Sequence, residues 1–316
     1  MHFRLAGALL LGSCLILGGA AVILAADDSG SEVRVLFSGE VQGGFQPCGC
    51  AGGPTGGLAR RLGYRDEVRK DWHGPLIQID AGNYLAAPGP NAQAINQMMF
   101  QSLDRIPISV MNLGVDDLYW WSALSKEARS ETHIISTNLV PRRSGLAVPA
   151  AFAVLDIPLA GNSKQKLRLG FLGLADPARV KPNSGFRALD PIEAVRKVKP
   201  EVMQQADALV VLWDIIRPVG SFPANSPVRK LAEENPEICL ILTTEKRDIL
   251  YHPQTLGHAT VLSGVERGRY MGDLRLNVGA DGKIEVVDPK FVELKDGSPE
   301  DPQMLREQNN LAARLQ

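Results

Sequence analysis

Val33 to Arg61 reads VRVLFSGEVQGGFQPCGCAGGPTGGLARR, and the reading of this stretch decides that of the chain. It opens with Val33 to Phe37, whose unbroken, β-branched hydrophobicity suits a strand buried on both faces. Ser38-Gly39-Glu40 ends that run, and a Gly-rich loop then carries Cys48 and Cys50 one residue apart. A helix is expected from about Gly57, in LARRLGYRDEVRK. Strand, loop, helix is the repeating unit of a parallel α/β sheet, and loops at the carboxyl ends of such strands are where sites are built.

The same alternation continues outward. PLIQIDAGN (75–83), ISVMNLG (108–114) and HIISTNL (133–139) read as strands, separated by helices in NAQAINQMMFQSLDRI (91–106) and around WWSALSKEAR. In the middle, AFAVLDIPL (151–159) and KLRLGFLGLAD (166–176) flank the polar turn AGNSKQ as a hairpin. A helix in PIEAVRKVKPEVMQQ, a strand in ALVVLWDII (208–216), a helix in SPVRKLAEEN and a strand in ICLILTTE (238–245) follow. ATVLSG (259–264) and YMGDLRLNV (270–278) are expected to be antiparallel strands, followed by a strand in KIEVVDPKFVEL. DGSPEDP (296–302) is turn chemistry. It precedes an amphipathic C-terminal helix that starts near Glu300 or Asp301. Strands alternating with helices imply largely parallel sheets covered by helices, here two sheets packed between helices in one domain.

Bulk properties narrow the function classes. The chain has 316 residues, 45% hydrophobic and 22% charged, with a net charge of −1, which is ordinary globular composition. Near-zero charge and the lack of a basic stripe argue against nucleic acid as a partner. Four cysteines are too few for a disulfide scaffold of this length. His2 and Arg4 precede LAGALLLGSCLILGGAAVILAA, and Asp27-Asp28 begin a polar stretch, the pattern of an export signal. The apolar run is long enough to span a bilayer, so cleavage and retention as a membrane anchor are both open. LGSC at Leu11 to Cys14 loosely resembles a lipoprotein box, but the apolar run past Cys14 counts against lipidation. The expected organisation is therefore a signal or anchor over 1–30, one domain over 31–297 and a terminal helix over 298–316, in an exported protein of the periplasm or outer membrane face.

The ordered anchors resemble a known family. GGLAR (56–60), DAGN (80–83), NLGVDDL (112–118), STNL (136–139), LGFLGL (169–174), ALVVLWD (208–214), LILTTEKR (240–247) and SGVERGRYMGDLRL (263–276) follow in order. Their order and spacing resemble the N-terminal domain of 5′-nucleotidases, within the calcineurin-like metallophosphoesterases. The resemblance covers about residues 33 to 295 and implies an α/β/β/α sandwich. In that family two metal ions, bridged by an aspartate and held by histidine, aspartate and asparagine, clamp a phosphate ester and activate water.

Set against that pattern, the residues of this chain depart from it. Glu40 and Gln42 stand at the aspartate and histidine of the first motif, and Asn83 at the bridging aspartate. Val115 and Asp116 replace the asparagine and histidine of the third motif, and Asp214, Glu245 and Arg247 fall on later histidines. The five histidines, His2, His73, His133, His252 and His258, stand at no ligand position. A neutral Asn83 bridges two cations poorly, and Arg247 would put a fixed cation where imidazole binds metal. The family's dimetal centre is therefore expected to be lost. Glu40, Asp116, Asp214 and Glu245 could instead hold one hard divalent cation through oxygen ligands, or pair with Arg247 and other basic residues. In the family a second, C-terminal domain supplies the nucleoside pocket; the resemblance covers the first domain alone, with one helix expected after it, so nucleotide specificity is not implied.

PCGC (47–50) lies outside the family pattern. Three readings are open: a redox-active dithiol, two soft ligands for Cu(I), Zn²⁺ or another thiophilic metal, or a structural disulfide. Gly49 supplies the backbone freedom that a tight Cys-x-Cys bridge would need. Cys239 is a conceivable third ligand, but its place in ICLILTT suits an inert core thiol. Trp120 and Trp121, beside Tyr119, are either an aromatic wall for a partner or cover for the sheet. Three functions follow: a non-hydrolytic binding or redox-associated role centred on Cys48 and Cys50, a phosphoesterase with an unusual acidic metal site, or a structural partner subunit of an envelope complex.

Overall fold

Two six-stranded sheets lie face to face with helices on both outer surfaces. The computed structural model describes residues 31–50, 53–122, 131–159, 165–215, 222–245 and 252–316. Along the first half run β1 (Ser31–Ser38), β2 (Cys48–Cys50), β3 (Gly53–Thr55), α1 (Leu58–Asp71), β4 (Leu76–Asp80), α2 (Ala92–Leu103), β5 (Val110–Asn112), β6 (His133–Ile135) and β7 (Leu139–Pro141). Then come β8 (Phe152–Pro158), β9 (Lys166–Ala175), β10 (Phe186–Ala188), α3 (Pro191–Met203), β11 (Ala208–Asp214), α4 (Pro227–Glu234) and β12 (Ile238–Glu245). The last elements are β13 (Gln254–Leu256), β14 (Ala259–Val265), β15 (Tyr270–Val278), β16 (Ile284–Glu293) and α5 (Pro302–Leu315).

The first sheet has the order β16-β15-β1-β4-β5-β6, with β1, β4, β5 and β6 mutually parallel and the β15–β16 hairpin antiparallel along the edge. The second has the order β13-β14-β12-β11-β9-β8, with β9, β11, β12 and β14 parallel and one antiparallel strand on each edge. All the parallel strands of a sheet end on one side, and their following loops gather there.

Period-two alternation decides which face each residue takes. Val33, Val35 and Phe37 face the inter-sheet core with Ile79, Leu274, Leu169, Phe171, Leu212 and Leu240. Leu36, between them, turns outward to Val68, Met271 and Leu294. Residues of α1, α2 and α5 cover the outer face of the first sheet, through Leu58, Leu62, Met99, Leu103, Met304 and Leu311. Residues of α3 and α4 cover the second, through Ile192, Val195, Val228 and Leu231. Each such buried aliphatic contributes roughly 1.5–3 kcal/mol of transfer free energy. Room for the core is made locally: Gly272 stands opposite Phe37 in the β1–β15 register, and a Cβ there would lie 2.2 Å from Phe37 Cζ.

The four-layer α/β/β/α architecture is as the sequence implies. One strand is assigned differently: ATVLSG runs parallel to β12 and pairs antiparallel only with the three-residue edge strand β13, which supplies the reversal instead. The pairs β2–β3 and β7–β10, each of three-residue strands, lie outside the sheets and had no periodic signal. The N-terminal segment and most of the helix expected around WWSALSKEAR lie outside the described residues. Among the described residues no helix is long and apolar enough to cross a membrane.

Candidate functional site

The site forms where loops from both sheets meet. After β1 the backbone turns sharply, with Glu40 and Gln42 both left-handed at φ 52° and 50°. Their N–H groups donate to Gly82 O (2.9 Å) and Asn83 O (2.8 Å), so the loops after β1 and β4 run side by side. Asn83, also left-handed at φ 58° and fully buried, presents its amide between two carboxylates. Its Nδ2 donates to Glu40 Oε1 and to Asp214 Oδ1 (3.0 Å), while its Oδ1 accepts from the Asp116 N–H at 3.0 Å. Gly114 permits this approach, because a Cβ there would lie 2.2 Å from Asn83 Oδ1.

Asp214, the fully buried last residue of β11, ties the second sheet to the first. Its Oδ2 accepts from the Val115 N–H (2.8 Å), and its Oδ1 also accepts from Thr244 Oγ1 (2.8 Å) at the end of β12. Gln42 Nε2 donates to Glu40 Oε2 at 2.7 Å. All four carboxylate oxygens of Glu40 and Asp214 thus accept protein hydrogen bonds.

Among the described residues a cation at this cluster is Arg179, which sequence reasoning missed. It follows β9 in the turn Asp176-Pro177-Ala178-Arg179, closed by Arg179 N donating to Asp176 O at 3.0 Å and Ala178 N to Asp176 Oδ1 at 2.9 Å. The turn is docked by Asp176 N donating to Asp214 O at 2.9 Å. Arg179 Nη1 donates to Asp214 Oδ1, and Nη2 lies 3.9 Å from Asp116 Oδ2. Burial alone would lower the guanidinium, but Asp214, Glu40 and Asp116 together hold it above its ordinary pKa. Its one signal in the sequence was place, four residues past the end of a parallel strand.

Beneath the cluster lies a second polar layer. The fully buried Arg61 donates Nη2 to Ser38 Oγ (2.7 Å), which donates to Asp80 Oδ2 (2.5 Å). Asp117 accepts from the N–H groups of Asn83, Leu85 and Gly114 and so pins both loops. Burial pushes both Asp80 and Asp117 above the usual carboxylate range.

Of the residues picked out by sequence, Glu40, Gln42, Asn83, Asp116 and Asp214 come together. Glu245 is the last residue of β12, and Arg247 lies outside the described residues. Among the described residues no three His, Cys, Asp or Glu groups gather as metal ligands. The donor chemistry agrees poorly with two transition metals: the bridging position offers an amide N–H where two cations need a lone pair, and the flanking carboxylates already accept donors. The polarity of the family's centre is inverted here, with an N–H bridging two anions.

Cys48 and Cys50 fall on β2 of a short hairpin, in register with Thr55 and Gly53 of β3. The base of the hairpin is fastened: Arg60 Nη1 donates to Pro54 O (2.6 Å), and Arg269 Nε to Thr55 Oγ1 (3.2 Å). Cys48 Sγ is 3.9 Å from that same hydroxyl. A Cβ at Gly49 or Gly53 would meet nothing within 4 Å. Cys239 is no partner for this pair. It is buried in the inter-sheet core, its Sγ donates to Leu209 O at 3.4 Å, and burial pushes its thiol up to about 12. The tryptophans are cover: Trp121 is buried and donates to Ala147 O (2.6 Å), and half-buried Trp120 donates to Ala86 O (2.8 Å). Among the described residues the exposed large hydrophobics are Tyr119 and Val148, and residues 123–130, which follow Trp121 closely, lie outside them.

No protein-family model matches the sequence, and no curated protein does. Solved structures do resemble the fold. A 5′-nucleotidase precursor from Thermus thermophilus superposes with TM-score 0.72 at 19% identity, over 90% of this chain and 59% of that one. The calcineurin-like phosphoesterase YfkN of Bacillus subtilis gives 0.70 at 16%, over 90% of this chain and 99% of that one. The NAD nucleotidase of Haemophilus influenzae gives 0.64 at 13%, over 90% and 59%. The chain thus spans about three fifths of the two nucleotidases and nearly all of the YfkN structure.

Proposed function

We propose that this chain, which has the fold of the metallophosphoesterases, is a non-hydrolytic protein of the cell envelope whose working site is the Cys48/Cys50 hairpin. One observation carries the non-hydrolytic part: every carboxylate oxygen of Glu40 and Asp214 accepts a protein donor, with Arg179 among the donors. Hydrolysis by this fold's chemistry needs those oxygens, or groups in their place, free for metal. Export is supported by the N-terminal pattern alone.

A structural disulfide is the weakest of the three thiol readings. A bridge between residues two apart closes a loop of three residues, worth ~1.6 kcal/mol by chain entropy against ~3 kcal/mol for a 15-residue loop, before strain is subtracted. The hairpin base is already held by Arg60 and Arg269, so there is little left to fasten. Two cysteines on one arginine-flanked hairpin, with Cys48 half-buried, suit a soft metal ion or thiol–disulfide exchange with a partner. The test is elemental analysis with thiol titration on the full chain purified without reductant, beside a Cys48→Ser/Cys50→Ser variant. About one thiophilic metal per chain, lost in the variant, or a readily reduced disulfide, supports the proposal. Two divalent metals retained in the variant, with turnover of an aryl phosphate, would establish a phosphoesterase instead.

A further inference from the structure

We infer that the Arg179 guanidinium is a tethered replacement for a bound cation, holding the loop ends of the two sheets together as a metal centre would. The inference rests on the non-hydrolytic reading and adds a role for what stands in the old centre. The cluster draws on both sheets: Glu40, Asn83, Asp116 and Val115 from the loops of the first, Asp214, Thr244 and Arg179 from the second. Asp214 is fully buried and ionic contact reaches it from Arg179, whose side chain is only 11% exposed. A buried carboxylate left without a cation is costly, and hydrogen bonds from neutral groups such as Asn83 and Thr244 compensate only part of that cost.

The guanidinium also fits the geometry asked of a bridging cation. One nitrogen reaches Asp214 and another turns toward Asp116, while the field of Glu40 acts on the same group. Its own turn is locked by Asp176, which bonds back to the Asp214 carbonyl, so the cation and its principal anion are fixed to one another through the backbone as well. Planar, permanently charged and multi-dentate, arginine is the side chain suited to such a place. Removing it should leave a charge-lined cavity that accepts a small cation from solution.

The test is thermal unfolding of the full chain as wild type, Arg179→Ala and Arg179→Lys, with Leu212→Ala as a variant destabilised in the distant inter-sheet core. Each is measured with EDTA, with millimolar MnCl₂ and with millimolar methylguanidinium chloride. Wild type should be indifferent to Mn²⁺ and methylguanidinium, and any effect of EDTA through the Cys48/Cys50 hairpin should be shared by Leu212→Ala. Arg179→Ala should melt lower by roughly 8 °C, from the cost of breaking a buried pair spread over a chain of this size. Methylguanidinium or Mn²⁺ should restore at least half of that loss in Arg179→Ala and none in Leu212→Ala, and Arg179→Lys should retain more stability than the alanine variant. If Arg179→Ala does not fold, the lysine variant and its failure or survival carry the test. Wild-type stability in Arg179→Ala, rescue shared by Leu212→Ala, or a lysine variant no better than alanine would overturn the inference. Two metals in the wild type would overturn the non-hydrolytic reading as well, whereas a metal-free wild type with an unrescued Arg179→Ala would overturn only this one.

Discussion

Asp273 on β15 shows how single side chains in this fold are set by the company they keep. It is buried and accepts from Arg34 Nε (2.9 Å) and Nη2 (2.6 Å) and from Tyr64 Oη (2.6 Å). Burial pushes its carboxyl up, but Arg34 and Tyr64 outweigh that and hold it below the ordinary value of 3.8. With the native pKa depressed, the unfolded chain takes the proton first as pH falls. The stabilisation is therefore complete above about pH 5 and lost as pH drops through the native value. Asp273→Asn should lose about 2 kcal/mol at pH 7 and show a flatter acid limb, measured by urea titrations at pH 7 and pH 3. Asn83 gives the converse case. Asn83→Asp would set a third carboxylate against Glu40 and Asp214, a repulsion of about 2 kcal/mol at pH 7 that protonation relieves. Its melting temperature, relative to wild type, should recover between pH 7 and pH 5; an equal deficit at both would remove charge as the cause. At this scale the sequence was partly legible. Glu40, Asn83, Asp116 and Asp214 were found through the places they occupy in the family's pattern, whereas Arg179 lies in a turn that matches no motif, and only the fold brings it to Asp214.

Elements were legible where their period was long enough to count. The eight residues of ICLILTTE and the ten of KLRLGFLGLA are strands over those spans, and the helix after Gly57 runs Leu58–Asp71. The β2–β3 hairpin was not, because Cys, Gly and Pro over three-residue strands carry no alternation; it is held by Arg60 and Arg269 from outside. ATVLSG was misassigned as antiparallel for a related reason: direction is a property of the pairing partner, and the partner β12 lies across a crossover rather than across a turn. The β1–β15 pairing offers a prediction at this level. Gly272 faces the Phe37 ring, which itself packs edge-on to Phe291 with centroids 5.6 Å apart. Gly272→Ala should force the ring from its place and cost about 3 kcal/mol by overpacking, read as a lower urea midpoint with an unchanged slope. A cost under half that would mean the strands slide apart without strain.

The molecule as a whole was the most legible level, since strands alternating with helices over some 250 residues leave few architectures that bury every apolar face. What it buries, it buries jointly: the central core takes residues from β1, β4 and β15 of one sheet and β9, β11 and β12 of the other. Leu212→Ala in that core should cost about 3 kcal/mol, and fluorescence and circular dichroism should shift together because neither sheet keeps a covered inner face alone. Separate transitions would show that the sheets are independent units. The inverted centre at the strand ends carries a consequence for the protein's surroundings. A protein that borrows its cation from solution is stabilised by mass action, and that part of its stability follows the free-ion concentration. Arg179 is covalently part of the chain, so its effective concentration at Asp214 is fixed by the length of one turn and does not fall on dilution, chelation or metal starvation. On the inference that Arg179 replaces the ion, such a fold would keep its loops assembled at any metal supply, and would give up the exchangeable ion through which its environment could have regulated it.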